Sequence, residues 1–284
     1  MRKTILIGLI LLCILPLCKA GDLSIILTGG IRYGLFGDVN AGILGYLGLF
    51  SDSGTYNSGV IIDEIKSLHF SPYYSAEIGF GLGSGYSLSI CVEQVRVNNL
   101  SKITIRYPEE IPEANGRIET AINAIPLGMR IYRQYVLNRV LSAYFVGGVE
   151  VCPVRFRSVS WPAGQGNTIH QNAHSVGLGL LYGAGLEIKA NSHIALILEA
   201  RGNYEKVRAF RGTLLAEGSS LPYEETGVLY RWDQAVTIGP DLQGTYTYLM
   251  IRETMPSGDI YSHVRSANVD LSGFALAAGV RIFF

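Results

Sequence analysis

The chain has 284 residues, of which 16% are charged and 48% hydrophobic, with a mean hydropathy of +0.26 and 23 basic side chains against 23 acidic ones. Zero net charge with no basic excess argues against a nucleic-acid partner. Beyond the N-terminus there is no unbroken apolar run of the ~18 residues that a spanning helix needs, so the hydrophobic residues must be interleaved with others.

Residues 1–20 read as a secretory signal. Met1-Arg2-Lys3 is a basic start, Ile5 to Leu15 is apolar, and Lys19-Ala20-Gly21 offers small residues for cleavage. Cys18 could suggest a lipoprotein, but Leu17 stands where a small residue is expected. Its removal takes Arg2, Lys3 and Lys19, leaving 20 basic against 23 acidic side chains, and takes Cys13 and Cys18. Cys91 and Cys152 remain, which is neither a disulfide framework nor a metal site. Residues 21–284 are then read as one domain.

Strand-period alternation fills that domain. Near 23–36, Ile25, Leu27, Ile31, Tyr33 and Leu35 oppose Thr28, Gly30, Arg32 and Gly34. Tyr74, Ala76, Ile78, Phe80 and Leu82 oppose Tyr73, Ser75, Glu77, Gly79 and Gly81, and a Gly83-Ser84-Gly85 turn follows. Tyr86, Leu88, Ile90 and Val92 then oppose Ser87, Ser89, Cys91 and Glu93. Ile125, Leu127, Met129 and Ile131 oppose Pro126, Gly128, Arg130 and Tyr132. Phe145, Val149 and Val151 oppose Tyr144, Gly148, Glu150 and Cys152. In 176–188 the opposed faces are Val176, Leu178, Leu180, Tyr182, Ala184, Leu186, Ile188 and Gly177, Gly179, Leu181, Gly183, Gly185, Glu187. No helix accepts that glycine spacing cheaply, at ~1 kcal/mol each. Leu196, Leu198, Ala200 and Tyr204 oppose Ile197, Glu199, Arg201 and Asn203, and the end of the chain sets Phe274, Leu276, Ala278, Val280, Ile282 and Phe284 against Ala275, Ala277, Gly279, Arg281 and Phe283.

This gives eight antiparallel strands in an all-β, up-and-down arrangement. Links at 83–85, 134–141 and 190–193 are short, and those at 37–69, 98–117, 157–174 and 207–268 are long, an alternation that suits short periplasmic turns and long external loops. Pro126 removes a ladder donor, so a bulge or frayed pairing is expected where the apolar alternation changes phase between Ile122 and Ile125. The 207–268 segment is long for a loop. Within it Thr245 to Ile251 reads as a strand, paired with Val228 to Trp232, which extends the barrel above the membrane or makes it ten-stranded.

A secreted sandwich or lipocalin also has one apolar face. The strands here are long enough to cross hydrocarbon, whereas soluble strands usually have ~5–6 residues. The polar parity is mostly Gly, Ala and Ser with isolated charges, which fits a narrow lumen better than a solvated surface. The sequence resembles the eight-stranded outer-membrane β-barrel proteins of the OmpA/OmpX type, most specifically in a final strand whose apolar residues recur to a terminal Phe: Leu276, Ala278 (a weak match), Val280, Ile282 and Phe284. The resemblance implies a bacterial outer-membrane location, recognition of that strand by the barrel assembly machinery, contact with outer-membrane lipid, and a structural or surface-interaction role with an unidentified surface ligand.

The inward parity collects Arg32, Glu77, Glu93, Arg130, Glu150, Glu187, Glu199, Arg201 and Arg281. Charges so confined must be paired or hydrated. They form either a network that fills the barrel and fixes register or the constriction of a narrow passive channel for small solutes or ions. Tyr33, Tyr74, Tyr86, Tyr182 and Tyr204 on the other parity suit interfacial girdles. Cys91 and Cys152, both inward on non-adjacent strands, are expected to be unbridged. His170, His174, Ser175 and His263 sit in or beside long loops, and a single His-Ser pair does not make a hydrolase. Glycines at 177, 179, 183 and 185 follow strand parity and open no helix, so no nucleotide motif is implied. The chain reads as non-enzymatic, without metal or cofactor.

Overall fold

The computed structural model describes residues 23–56, 59–107, 113–161, 168–218, 222–240 and 242–284. The signal sequence assigned to 1–20 lies outside the described residues. In chain order the elements are β1 (Leu23–Gly34), helix α1 (Gly37–Tyr56), β2 (Val60–Glu64), β3 (Phe70–Gly83), β4 (Tyr86–Arg106), β5 (Ala114–Ala124), β6 (Leu127–Val136), β7 (Leu141–Trp161), β8 (Thr168–Lys189), β9 (Ile194–Arg208), β10 (Arg211–Glu217), β11 (Tyr223–Gly239), β12 (Leu242–Arg252), β13 (Tyr261–Ser266), β14 (Asn268–Asp270) and β15 (Gly273–Phe283).

The antiparallel pairings close on themselves. From β1 the ladder passes to β3, β4, β5 with β6, β7, β8, β9 and β15, and β15 pairs back with β1. Ser24 opposite Phe283 and Ile31 opposite Leu276 set the closing register. A closed circuit satisfies backbone donors and acceptors without an exposed edge. Leu23, Phe284 and the turns after β3, β6 and β8 lie at one end of the circuit, here called lower.

Pro126 causes no bulge. Val95 faces Ala124 above it and Val92 faces Leu127 below it, so the register runs through unchanged. Glu93 N–H donates to the Pro126 carbonyl at 2.8 Å, and Ile125 N–H to Pro153 at 3.1 Å. β5 and β6 are one stave interrupted at the proline. Nor is there a change of phase. Ile122 points inward and is fully buried, while Ile125 points outward at 43% exposure. What changes along the stave is the lining, from polar below to apolar above.

The long connections are more regular than loops. β4 runs on to Arg106, β7 to Trp161 and β8 begins at Thr168, so strand pairing occupies much of 98–117 and 157–174. Within 207–268, β10 pairs with the upper part of β8, β11 with β10, and β12 and β13 with β11. Leu229 faces Ile251 and Trp232 faces Tyr248, the pairing expected from the sequence. These strands lie off the closed circuit, because β9 passes directly to β15.

The 37–69 segment is a correction: it holds α1 and β2. Val39, Ile43 and Leu47, spaced as one helical face, bury fully into the upper barrel against Val95, Val97, Ile122, Phe156 and Leu229. The helix also presses on β12, where a Cβ on Gly45 would overlap the Thr247 backbone. Its start is tied down at Asp38, which accepts from Arg265 Nη1 at 2.7 Å and Asn268 N–H at 2.8 Å. Asn40 exchanges side-chain hydrogen bonds with the Leu68 backbone at 3.0 and 2.8 Å. No helix of the described residues is long and apolar enough to cross a membrane, which says nothing of strands.

Candidate functional site: the barrel interior and its apolar belt

Alternation along each stave sends successive side chains to opposite faces. The outward set is apolar and exposed: Leu178 at 77%, Tyr182 at 66%, Leu276 at 65% and Leu196 at 51%. Phe145, Val149, Leu180 and Leu198 continue it around the circuit. Of the tyrosines expected there, Tyr74, Tyr86, Tyr182 and Tyr204 are exposed and Tyr33 is half-buried, stacked on His69 and Phe274.

The inward set holds all nine charged residues singled out in the sequence, each of them buried. They fall into three groups. In the middle, Arg130 contacts Glu77, Glu93 at 2.5 Å and Glu150 at 3.0 Å. Arg201 joins the same carboxylates, at 2.5 Å to Glu93 and 3.2 Å to Glu77, and also contacts Glu199. Tyr132 O–H donates to Glu77 at 2.7 Å, Ser89 O–H to Glu77 at 2.8 Å, and Tyr144 O–H to Glu199 at 2.7 Å. Four carboxylates thus share two guanidinium groups, and Glu150 Oε2 has no partner among the described residues.

Nearer the lower end, Arg281 Nη1 meets Glu187 at 2.6 Å, and Gln134 donates to the same carboxylate at 2.9 Å. Above the middle group, Arg32 Nη2 reaches Glu205 at 3.3 Å and the Leu271 carbonyl at 2.5 Å. Glu205 was overlooked in the sequence, although the parity of Glu199, Arg201 and Asn203 carries straight on to it.

Small inward residues make room for these long side chains. A Cβ on Gly128 would lie 2.9 Å from Glu150 Cγ and 3.0 Å from Cys91 Sγ. Below and around the ion groups sit Ile26, Tyr132, Tyr144, Val146, Leu181 and Ile197, all buried. Above them the interior is an apolar core closed over by α1. Cys91 and Cys152 are buried free thiols. Among the described residues no group of three His, Cys, Asp or Glu is placed to hold a metal.

The residues considered for hydrolysis do not converge. Ser175 O–H donates to the Arg208 carbonyl at 2.5 Å, and His174 is exposed on the outer face. His170 approaches Glu217 at 3.9 Å. His263 meets Asp233 at 2.9 Å, and Thr247 donates to the other Asp233 oxygen at 2.6 Å.

No family model matches the sequence, and no curated protein matches it. Among solved structures, the crystal structure of the outer membrane protein OprG from Pseudomonas aeruginosa is similar, with a TM-score of 0.40 and 11% identity, covering 94% of this chain and 97% of that one.

Proposed function

We propose that the chain is a non-enzymatic integral protein of a bacterial outer membrane, an up-and-down barrel whose packed interior anchors the structure above it in a structural or surface-interaction role. With β5 and β6 counted as one stave, the circuit β1, β3, β4, β5/β6, β7, β8, β9, β15 has eight members, in keeping with the OmpA/OmpX-type resemblance. One observation carries the reading. The closed sheet turns an apolar surface outward and a buried ion network inward, the reverse of what water outside would select.

The same interior argues against the narrow channel. Arg130 and Glu187 are fully buried, and apolar layers lie on both sides of the middle ion group. A side-chain-filled lumen is what a small barrel of this girth favours. Closure of the final strand, Leu276 to Phe284, against β1 gives the assembly machinery a strand to recognise.

Heat-modifiable gel mobility of the protein extracted by detergent from an outer-membrane fraction tests barrel and compartment together. The expected result is a compact band that shifts on boiling. Recovery in a soluble fraction with unshifted mobility would defeat the proposal. Planar bilayers should show no conductance steps for either the wild type or Glu150→Ala.

A further inference from the structure

Outside the barrel, at the height where the apolar belt ends, one arc of the surface is basic. Arg96 on β4 is register partner to Asn123 on β5, Asn123 to Arg155 on β7, Arg155 to His174 on β8, and His174 to Arg211 on β10. All five side chains point outward and are exposed. Neighbouring strands are ~4.8 Å apart, so the row is one lateral line roughly 20 Å long. Arg157 stands one outward position higher on β7, beside Asn172, and Arg208 adjoins through the bond from Ser175. Among the described residues, Arg96, Arg155, Arg157, Arg208 and Arg211 make no ion pair. Of the carboxylates in the surroundings, Glu119 is paired with Arg117 and Asp270 lies 3.9 Å from Lys206.

One outward position below the row come Gln94, Ile125, Pro153 and Val176, and Leu178 follows below Val176, all exposed. The Arg155 guanidinium therefore stands about 6–7 Å above apolar surface, one outward residue along its strand, and Arg96 stands two outward residues above Val92. Across the barrel, on β1, β3 and β15, the corresponding rim is aromatic, with Tyr33 within 5.4 Å of His69, Phe70 and Phe274. The basic feature is an arc on one side and not a uniform collar.

We propose that this arc binds the phosphate groups of an anionic lipid in the leaflet around the upper rim. It rests on the membrane reading above. Guanidinium groups pair with phosphate oxygens bidentately, and Arg96, Arg155 and Arg211 along the row, with Arg157 and Arg208 beside it, present that chemistry repeatedly. Continuity with the apolar belt selects a lipid over a soluble anion, because acyl chains would lie on Val176 and Leu178 while the headgroup meets the arginines.

The test uses the full chain refolded in neutral detergent, with native mass spectrometry of added diphosphorylated diglucosamine lipid and of the same lipid with its phosphates removed. The phosphorylated form should bind at least tenfold tighter. Each neutralised arginine should weaken it about fivefold, so R155Q/R157Q loses roughly 25-fold. R155K/R157K should lose less, and Arg106→Gln, whose side chain is held by Glu113 higher up, should bind as wild type. Equal binding of the two lipids, or an unaffected R155Q/R157Q variant, would overturn the proposal. So would displacement by millimolar inorganic phosphate, which would make this a free-anion site. Heat-modifiable mobility of the same samples separates the failures. A folded, detergent-bound barrel without phosphate preference defeats the arc alone, whereas a chain monomeric without detergent defeats the membrane reading and the arc with it.

Discussion

Arg130 is fully buried and is shared by Glu77, Glu93 and Glu150. Replacing it with Met keeps the side chain's length and apolar stem but removes one of two cations facing four carboxylates. Breaking a buried pair from one side costs about 3–5 kcal/mol, because the remaining charge is left without compensation. Arg201 still reaches Glu77 and Glu93, but Glu150 loses the partner of its bonded oxygen. With a urea slope of about 2 kcal/mol per molar, the unfolding midpoint should fall by roughly 2 M. Glu150→Gln provides the contrast. It removes one of the excess carboxylates while its amide oxygen can still accept from Arg130, so its midpoint should stay within about 0.5 M of wild type. The assay is urea titration of the refolded barrel in lipid vesicles, read by heat-modifiable mobility. Equal midpoints for Arg130→Met and the wild type, or equal losses for the two variants, would refute the shared-cation account.

Three further outcomes follow from the same structure. Gly45→Val should push α1 off the Thr247 backbone, costing about 1–3 kcal/mol, and should raise hydrogen exchange in α1 and β12 while β8 and β9 stay protected. Asp233 is partly desolvated, but its bond from Thr247 and the charges of Arg231 and His263 hold its carboxyl below the ordinary value of 3.8. A depressed folded value means that its contribution is complete above that ordinary value and lost as the pH falls below it. Proteolysis of β11–β13 should therefore accelerate below about pH 4, and Asp233→Asn should flatten that dependence. Cys91 and Cys152 should resist maleimide labelling in the folded barrel and react fully in denaturant, since both are buried free thiols.

Much of the barrel was legible because period-two alternation is a strong signal where one face is greasy and the other is glycine and charge. Arg130, Arg201 and Glu77 could be placed inside on parity alone. Parity could not say which carboxylate each arginine would meet, because Arg201 and Glu93 are far apart in sequence and are joined only by closure of the circuit. The upper barrel was less legible for a physical reason. There the inward parity becomes apolar, as at Val95, Ile122 and Val154, and the outward one polar, as at Arg96, Asn123 and Arg155, since the inward face packs on α1 instead of lining a polar lumen. At Pro126 this change of lining resembled a slip of register. Helix α1 was hidden by Gly42, Gly45 and Gly48, poor helix formers that are used here to bring the helix against β12. The basic arc was unreadable, because Arg96, Arg155, His174 and Arg211 come together only through the strand register.

The central claim is that the apolar parity meets acyl chains. A spin label at Leu178→Cys in lipid vesicles, with labels at Leu196→Cys and Leu276→Cys beside it, reports this directly through its collisions with oxygen and with a water-soluble nickel complex. The account predicts high oxygen and low nickel accessibility at all three positions. High nickel accessibility there, or immobile labels shielded from both, would contradict it.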